Sequence, residues 1–279
     1  MMKKYCLIVG ILLAGMVSAA GQGKIETKKF RMRDLQEKIT KVVMTGNDFK
    51  DGALRQDIVE RWHISPFEFC TLDEFNRLRT DKEYYFLLVT TGQFSGEIEP
   101  GIDFITYLKG GTDEPEGIDG MLEIVSIPFG TTGGTGREIA VLPALLDIVQ
   151  DFSLKAMEKD LQGYQGLSIY NTPRKLRGKR ILIAEEDLSF RVDEARKAGM
   201  RSKGLEIVTA DEADDAMIQA ASATVISYTV APEQPSSTSR CYKMLIDTGT
   251  HALYYFKRHH ITGKTGSGLT PEDISKIAR

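Results

Sequence analysis

Short runs of apolar residues alternate along the chain with stretches in which apolar residues recur every three or four positions, the two spacings that separate strands from helices. Lys41 to Thr45 is an apolar run closed by Gly46, Asn47 and Asp48, and predicts a strand entering a loop. Leu54, Ile58 and Trp62 recur at i, i+4, i+8 and predict a helix of about three turns. Phe67 to Cys70 predicts a second strand, and Thr71 opens a second helix with Leu72, Phe75 and Leu78 on its inner face. Strands follow over Tyr84 to Thr90, Ile102 to Leu108 and Met121 to Phe129, each rich in β-branched or aromatic residues. A Gly/Thr loop, Gly130 to Gly136, then leads to the longest helix, with Leu142, Leu145, Leu146, Val149, Phe152 and Met157 on one face. Because proline is tolerated in a first turn, Pro143 places the start of that helix near Leu142.

The same order then returns. Leu161 to Gly178 shows neither period and reads as a connector. Beyond it come a strand (Arg180 to Ala184), a short helix (Val192 to Met200), a strand (Leu205 to Val208) and a helix (Ala210 to Ala220). Three strands follow (Thr224 to Val230, Tyr242 to Asp247, Ala252 to His259), then a glycine loop (Gly263 to Gly268) and a helix capped by Thr270, Pro271 and Asp273. The sharpest correspondence joins Phe67–Phe75 to Leu205–Ala213, 138 residues later. In each, a short strand ends at a threonine with a glutamate three positions on, which predicts capping boxes at Thr71 with Glu74 and at Thr209 with Glu212. The expected architecture is α/β, with two similar domains from an internal duplication. Each is a mixed sheet of order β-α-β-α-β-β-β-α covered by helices. The first repeat domain is expected over residues 33–160, the connector over 161–178 and the second repeat domain over 179–279.

This order of elements is similar to that of the small periplasmic domain preceding the propeller in the Tol system. The chain also resembles a family of uncharacterised secreted bacterial proteins, marked by Ser65-Pro66-Phe67-Glu68-Phe69 and by Gly136-Arg137-Glu138. Neither resemblance implies an activity.

Composition changes the picture at one end of the chain. Lys3 and Lys4 precede an apolar stretch, Leu7 to Val17, that is short for a bilayer span, and Ser18, Ala19, Ala20 and Gly21 supply the small residues of a cleavage site. Residues 1–21 therefore read as a signal peptide, with the mature chain exported to the periplasm or outside the cell and carrying no membrane span. In an oxidising compartment Cys70 and Cys241 either form a disulfide or serve as small buried apolar residues. A formal charge of −3 gives no broad attraction for phosphate backbones and argues against nucleic acid as a partner.

Candidate chemistry is sparse. Leu245-Ile246-Asp247-Thr248-Gly249 looks like the Asp-Thr-Gly signature of aspartic proteases, whose chemistry needs two such aspartates. The first repeat offers only Tyr107-Leu108-Lys109-Gly110 at the matching place, so Asp247 to Thr250 is expected to be a hairpin turn. The two glycine loops lie between a strand and a helix, where amides can hold an anion. Gly133, Gly134 and Gly136 in one, with Lys264 and Thr265 in the other, are the ligand-binding candidates, although neither loop has a nucleotide fingerprint. Glu185-Glu186-Asp187 ends the strand that opens the second half, a usual place for functional carboxylates. His63, His251, His259 and His260 are not spaced to converge on a metal. No cofactor and no catalytic set is expected. The sequence therefore points to a non-catalytic binding protein of the cell envelope, with an envelope protein or a glycan as partner. The aromatic triplets Tyr84, Tyr85, Phe86 and Tyr254, Tyr255, Phe256 would supply part of its contact surface. The alternative is an envelope hydrolase using Asp247 or Glu185 and Glu186.

Overall fold

A computed structural model of the chain describes residues 31–111, 117–118 and 120–278; the signal-peptide reading of residues 1–21 lies outside them. The first repeat runs β1 (Ile39–Val43), α1 (Asp48–Arg61), β2 (Phe67–Cys70), α2 (Leu72–Leu78), β3 (Tyr84–Gly92), β4 (Ile102–Lys109), β5 (Leu122–Thr131) and α3 (Arg137–Glu158). The second runs β6 (Arg180–Ala184), α5 (Glu194–Arg201), β7 (Leu205–Val208), α6 (Ala210–Ile218), β8 (Thr224–Val230), β9 (Arg240–Asp247), β10 (Leu253–His260) and α7 (Pro271–Ile277). Between them lie α4 (Asp160–Gln165) and two 3-10 turns, Gly166–Tyr170 and Pro173–Leu176. These connecting elements are too short to display a period, so the sequence pattern passes over them.

The chain is an α/β protein with two five-stranded mixed sheets of identical topology, β2-β1-β3-β4-β5 and β7-β6-β8-β9-β10. In each, the first strand pairs in parallel with the second and third, and the remaining pairs are antiparallel. Register carries the duplication down to single residues. Thr40 lies opposite Phe67, and Ile181 opposite Leu205; Tyr85 lies opposite Lys109, and Val225 opposite Asp247. Lys109 and Asp247 are thus the same position in the two repeats.

The two predicted caps differ in detail. Thr209 and Glu212 form a complete capping box. At Thr71 only half of it forms: Thr71 Oγ1 accepts from the Glu74 amide at 3.2 Å, while the Glu74 carboxylate turns to the ammonium of Lys41, 3.1 Å away. Lys41 sits almost buried on β1, and a buried cation attracts carboxylates more strongly than an exposed amide does.

The helix α3 begins at Arg137, five residues before the predicted start, and carries Pro143 in its interior. An interior proline costs about 3 kcal/mol through its missing N–H and its clash with the preceding turn. Val141, Leu142, Ala144, Leu145 and Leu146 are all fully or almost fully buried around it. At about 1.5–3 kcal/mol for each large side chain, that burial outweighs the proline penalty.

α3 packs on β5, on α1 and on α6 of the second repeat. One apolar core therefore runs between the sheets, from Val42, Leu87, Ile105 and Ile127 through Leu145, Val149 and Phe152 to Ile226, Met244 and Ile246. The outer face of the first sheet holds Cys70, Phe75, Phe86 and Leu108. The outer face of the second holds Ile183, Leu205, Leu245 and Tyr255 against Ile274 and Ile277 of α7. The sheets turn opposite faces inward: α1 and α3 are internal, whereas their counterparts α5 and α7 are external. No helix among the described residues is long and apolar enough to cross a membrane.

Candidate binding cleft between the two sheets

A cleft of about 770 Å³ is lined by strands of both sheets. Its walls come from β4 and β5 of the first repeat, β9 and β10 of the second, and the segment Gly163–Ser168 of α4 and the 3-10 turn after it. Clefts between repeated units are a preferred place for ligands. β5 and β10, the last strands of their repeats, are both outermost strands of their sheets, so the cleft runs along two strand edges.

On the floor, Phe104 of β4 meets Tyr242 of β9 edge to face, with ring centroids 5.5 Å apart and planes at 87°. These residues are 138 apart, the offset that aligns Lys109 with Asp247, so the same position of each repeat touches its own copy. Tyr242 in turn lies 6.3 Å from the ring of Phe256 on β10. Gly92 makes room for this arrangement, since a Cβ there would stand 2.8 Å from the Phe104 ring. Phe94 and Tyr164 add further aromatic wall.

The electrostatic character is set by alternation along β9 and β10. Arg240 lies opposite His260, and Arg258 opposite Tyr242, which places Arg240, Tyr242, Phe256, Arg258 and His260 on the cleft side. Arg258 hydrogen-bonds the Tyr242 phenol, and neither Arg240 nor Arg258 is ion-paired among the described residues. Burial pushes the Tyr242 phenol up, and the Arg258 and Arg240 guanidiniums pull it partly back. Glu123 is the acidic residue facing this group. In a chain of net charge −3, the cleft is locally cationic.

One end of the cleft is clamped by two equivalent loops. Ser236 Oγ donates to the carbonyl of Ser95 at 2.9 Å, and Ser239 donates to Glu97. Gly101 is packed so closely on Pro232 that a Cβ would lie 2.5 Å from it. The β3–β4 loop of the first repeat thus rests on the β8–β9 loop of the second.

The residues singled out in the sequence lie elsewhere. Gly134 and Gly136 take φ values of 71° and 88°, and their loop wraps the carboxylate of Glu138, which accepts from the Thr135 amide at 3.0 Å. A side chain of the protein itself thereby occupies the anion position at the N-terminus of α3. Gly133 is in the same loop, 3.6 Å by its would-be Cβ from Glu233. Lys264 is exposed, and Thr265 is tied to Thr262 by a 2.8 Å hydroxyl contact. Both loops converge on Asp187. Its carboxylate accepts from Arg137 Nη1 at 3.0 Å, Ser227 Oγ at 2.6 Å and Thr229 Oγ1 at 2.7 Å. Its carbonyl accepts from Leu269 N at 2.6 Å. Gly268 admits that approach, since its Cβ would stand 2.5 Å from the Asp187 carbonyl. Arg137 also bonds Asp214 at 3.1 Å, so the network stitches α3 to the second repeat. Glu185 pairs with Lys197, and Glu186 is exposed.

Asp247 forms the turn between β9 and β10. Its Oδ1 accepts from the amides of Gly249 at 3.1 Å and Thr250 at 2.9 Å, and Oδ2 binds Lys179 at 2.6 Å. Burial works to raise its carboxyl, yet Lys179 and the Thr250 amide hold it below the usual range. The matching position in the first repeat, Lys109, pairs with Asp34 at 2.6 Å. In both repeats this position thus pairs with a residue just before the first strand, with the charges exchanged and from different partner positions.

A second hollow, about 550 Å³, lies between α3, the connector and the β9–β10 turn. There His251, at φ 56°, contacts Asp147 at 2.6 Å, and Arg61 reaches the same carboxylate at 3.2 Å. His63 contacts the Arg61 carbonyl and His259 the Gly266 carbonyl. Among the described residues no cluster of three or more His, Cys, Asp or Glu is disposed to hold a metal. Cys70 and Cys241 are free and buried in different sheets; burial pushes both thiols up to about 11. Of the two aromatic triplets, only Phe256 lines the cleft. Phe104, Tyr242, Arg240 and Arg258 escaped the sequence reading. Their available signal was the recurrence of an aromatic residue at the 138-residue offset. Comparison with protein-family models, curated proteins and solved structures found no match.

Proposed function

We propose that the protein is a non-catalytic binding protein of the cell envelope, exported by its N-terminal segment, and that the cleft between the repeats is where it holds its partner. The observation that carries this reading is the combination of an aromatic wall with two arginines, Arg240 and Arg258, that form no ion pair among the described residues, in a cleft built from matching strands of both repeats. Aromatic and arginine side chains are enriched where proteins bind partners. The hydrolase reading draws no support from the geometry, because the oxygens of Asp247 are spent on its own turn and on Lys179, and Glu185 and Glu186 line neither hollow.

Affinity capture from envelope extract tests this with two baits, the wild-type protein and a variant carrying Arg240→Glu with Arg258→Glu. A partner, protein or glycan, retained by the first and lost by the second is the expected result. A partner held equally by both would move the binding site away from the cleft.

A further inference from the structure

The edge of β10 shows what chemistry the cleft is built to complete. Asn171 uses its side-chain amide as a neighbouring strand would use its backbone: Oδ1 accepts from Phe256 N and Nδ2 donates to Phe256 O, both at 2.9 Å. Thr172 N donates to Tyr254 O at 3.0 Å just before it. In an antiparallel pair, residues with both backbone groups turned away from the partner strand alternate, so Phe256 fixes Arg258 as the next such residue. Its N–H and C=O point away from β9 and meet no partner among the described residues, whereas the carbonyl of His260, the next outward residue, accepts from Thr265 Oγ1 at 3.2 Å; the exposed side chain of Arg258 lines the cleft beside them. An open strand edge is a template for a further strand.

Resting on the binding reading above, we infer that the cleft takes an extended acidic peptide segment, paired to the edge of β10 at Arg258. The edge groups at Arg258 supply main-chain hydrogen bonds. Arg240 and Arg258 lie within the same cleft to meet carboxylates, and the Phe104, Tyr242 and Phe256 rings take an apolar side chain between them. This is the strand-addition mode of peptide recognition, in which main-chain bonds give affinity and side-chain pockets give selectivity. Charge complementarity favours an acidic segment over a basic one, and an open pair of backbone groups favours a peptide over a glycan.

Selection of a displayed random octapeptide library on the wild-type protein, followed by fluorescence anisotropy with the synthetic winners, tests the inference. The selected peptides should be rich in Asp and Glu. Their affinity should fall at least tenfold with Arg258→Glu, an exposed substitution whose thermal unfolding should match the wild type. Peptides N-methylated at alternate residues should lose binding in one register and keep it in the other, because only every second amide of an added strand faces its neighbour. Failure to select peptides, selection of peptides without acidic residues, or indifference to N-methylation in both registers would each overturn the inference. A dimer of this protein that dissociates with Arg258→Glu would also overturn it, by assigning the edge to a second copy. An envelope partner lost with the cleft variant, but not displaced by selected peptides, would keep the binding site and remove strand addition.

Discussion

Two aspartates, the half-buried Asp57 and the buried Asp273, pull stability in opposite directions with pH. Asp57 on α1 is pushed up to about 6, chiefly by burial and against the pull of Arg61. The folded state therefore favours its neutral form. The stabilisation that proton provides is complete below the ordinary value of 3.8 and is lost as pH rises through about 6. Asp57→Asn should accordingly raise the melting temperature at pH 7.5 and leave it nearly unchanged at pH 4; a variant less stable than wild type at pH 7.5 would refute this. Asp273 is the reverse case. Burial works to raise its carboxyl, but Lys243, Tyr255 and the Thr270 amide and hydroxyl hold it well below the usual range. Its contribution is present above 3.8 and disappears only as pH falls through the lowered value. Because Lys243 is 2% exposed, removing its partner leaves an unpaired buried charge. Asp273→Asn should cost about 3–5 kcal/mol in urea unfolding at pH 7, with much of that recovered when Lys243→Met is added. Residues of this kind were visible in the sequence as caps. Spacing marks Asp273 as the third residue of a helix start, but that it also neutralises a lysine thirty residues earlier depends on strand pairing, which spacing does not show.

At the scale of elements, strands and helices were legible because their apolar periods survive in both repeats. The exceptions have physical causes. α3 starts earlier than Pro143 suggested because its first turn is anchored from outside the helix: Arg137 is held by Asp187 and Asp214, and Glu138 by Thr135. With that anchoring, the helix tolerates a missing hydrogen bond. Pro143→Ala should then stabilise the protein by about 1–2 kcal/mol, the proline penalty less the gain in unfolded-chain freedom. A neutral or destabilising outcome in chemical denaturation would show that the proline is required for the packing of α3. The half-formed capping box at Thr71 has a similar origin, since Lys41 competes for Glu74.

For the whole molecule, the sequence discloses the duplication but not how the copies meet. The inner face of each sheet is apolar in either orientation, so periodicity alone does not tell that the first sheet turns its α1 and α3 side inward while the second turns its α6 side. That choice buries α3 between the repeats and leaves the cleft lined by β4, β5, β9 and β10. The shared core predicts one cooperative unfolding transition by calorimetry for residues 31–278. It also predicts that residues 179–278 expressed alone will not form a folded monomer, having lost the cover over Ile226, Met244 and Ile246. Two independent transitions would contradict the shared core.

The cleft is the account's central claim, and proximity labelling in the source cells tests it most directly. A photoreactive phenylalanine derivative replaces Tyr164 or Thr238, both at the cleft rim, or Ile218, which is 69% exposed on α6 and is not a lining residue. Irradiation should give a discrete adduct from positions 164 and 238 and none from 218. Adducts from 218 alone, or none from either cleft position while the protein is folded and abundant, would contradict it.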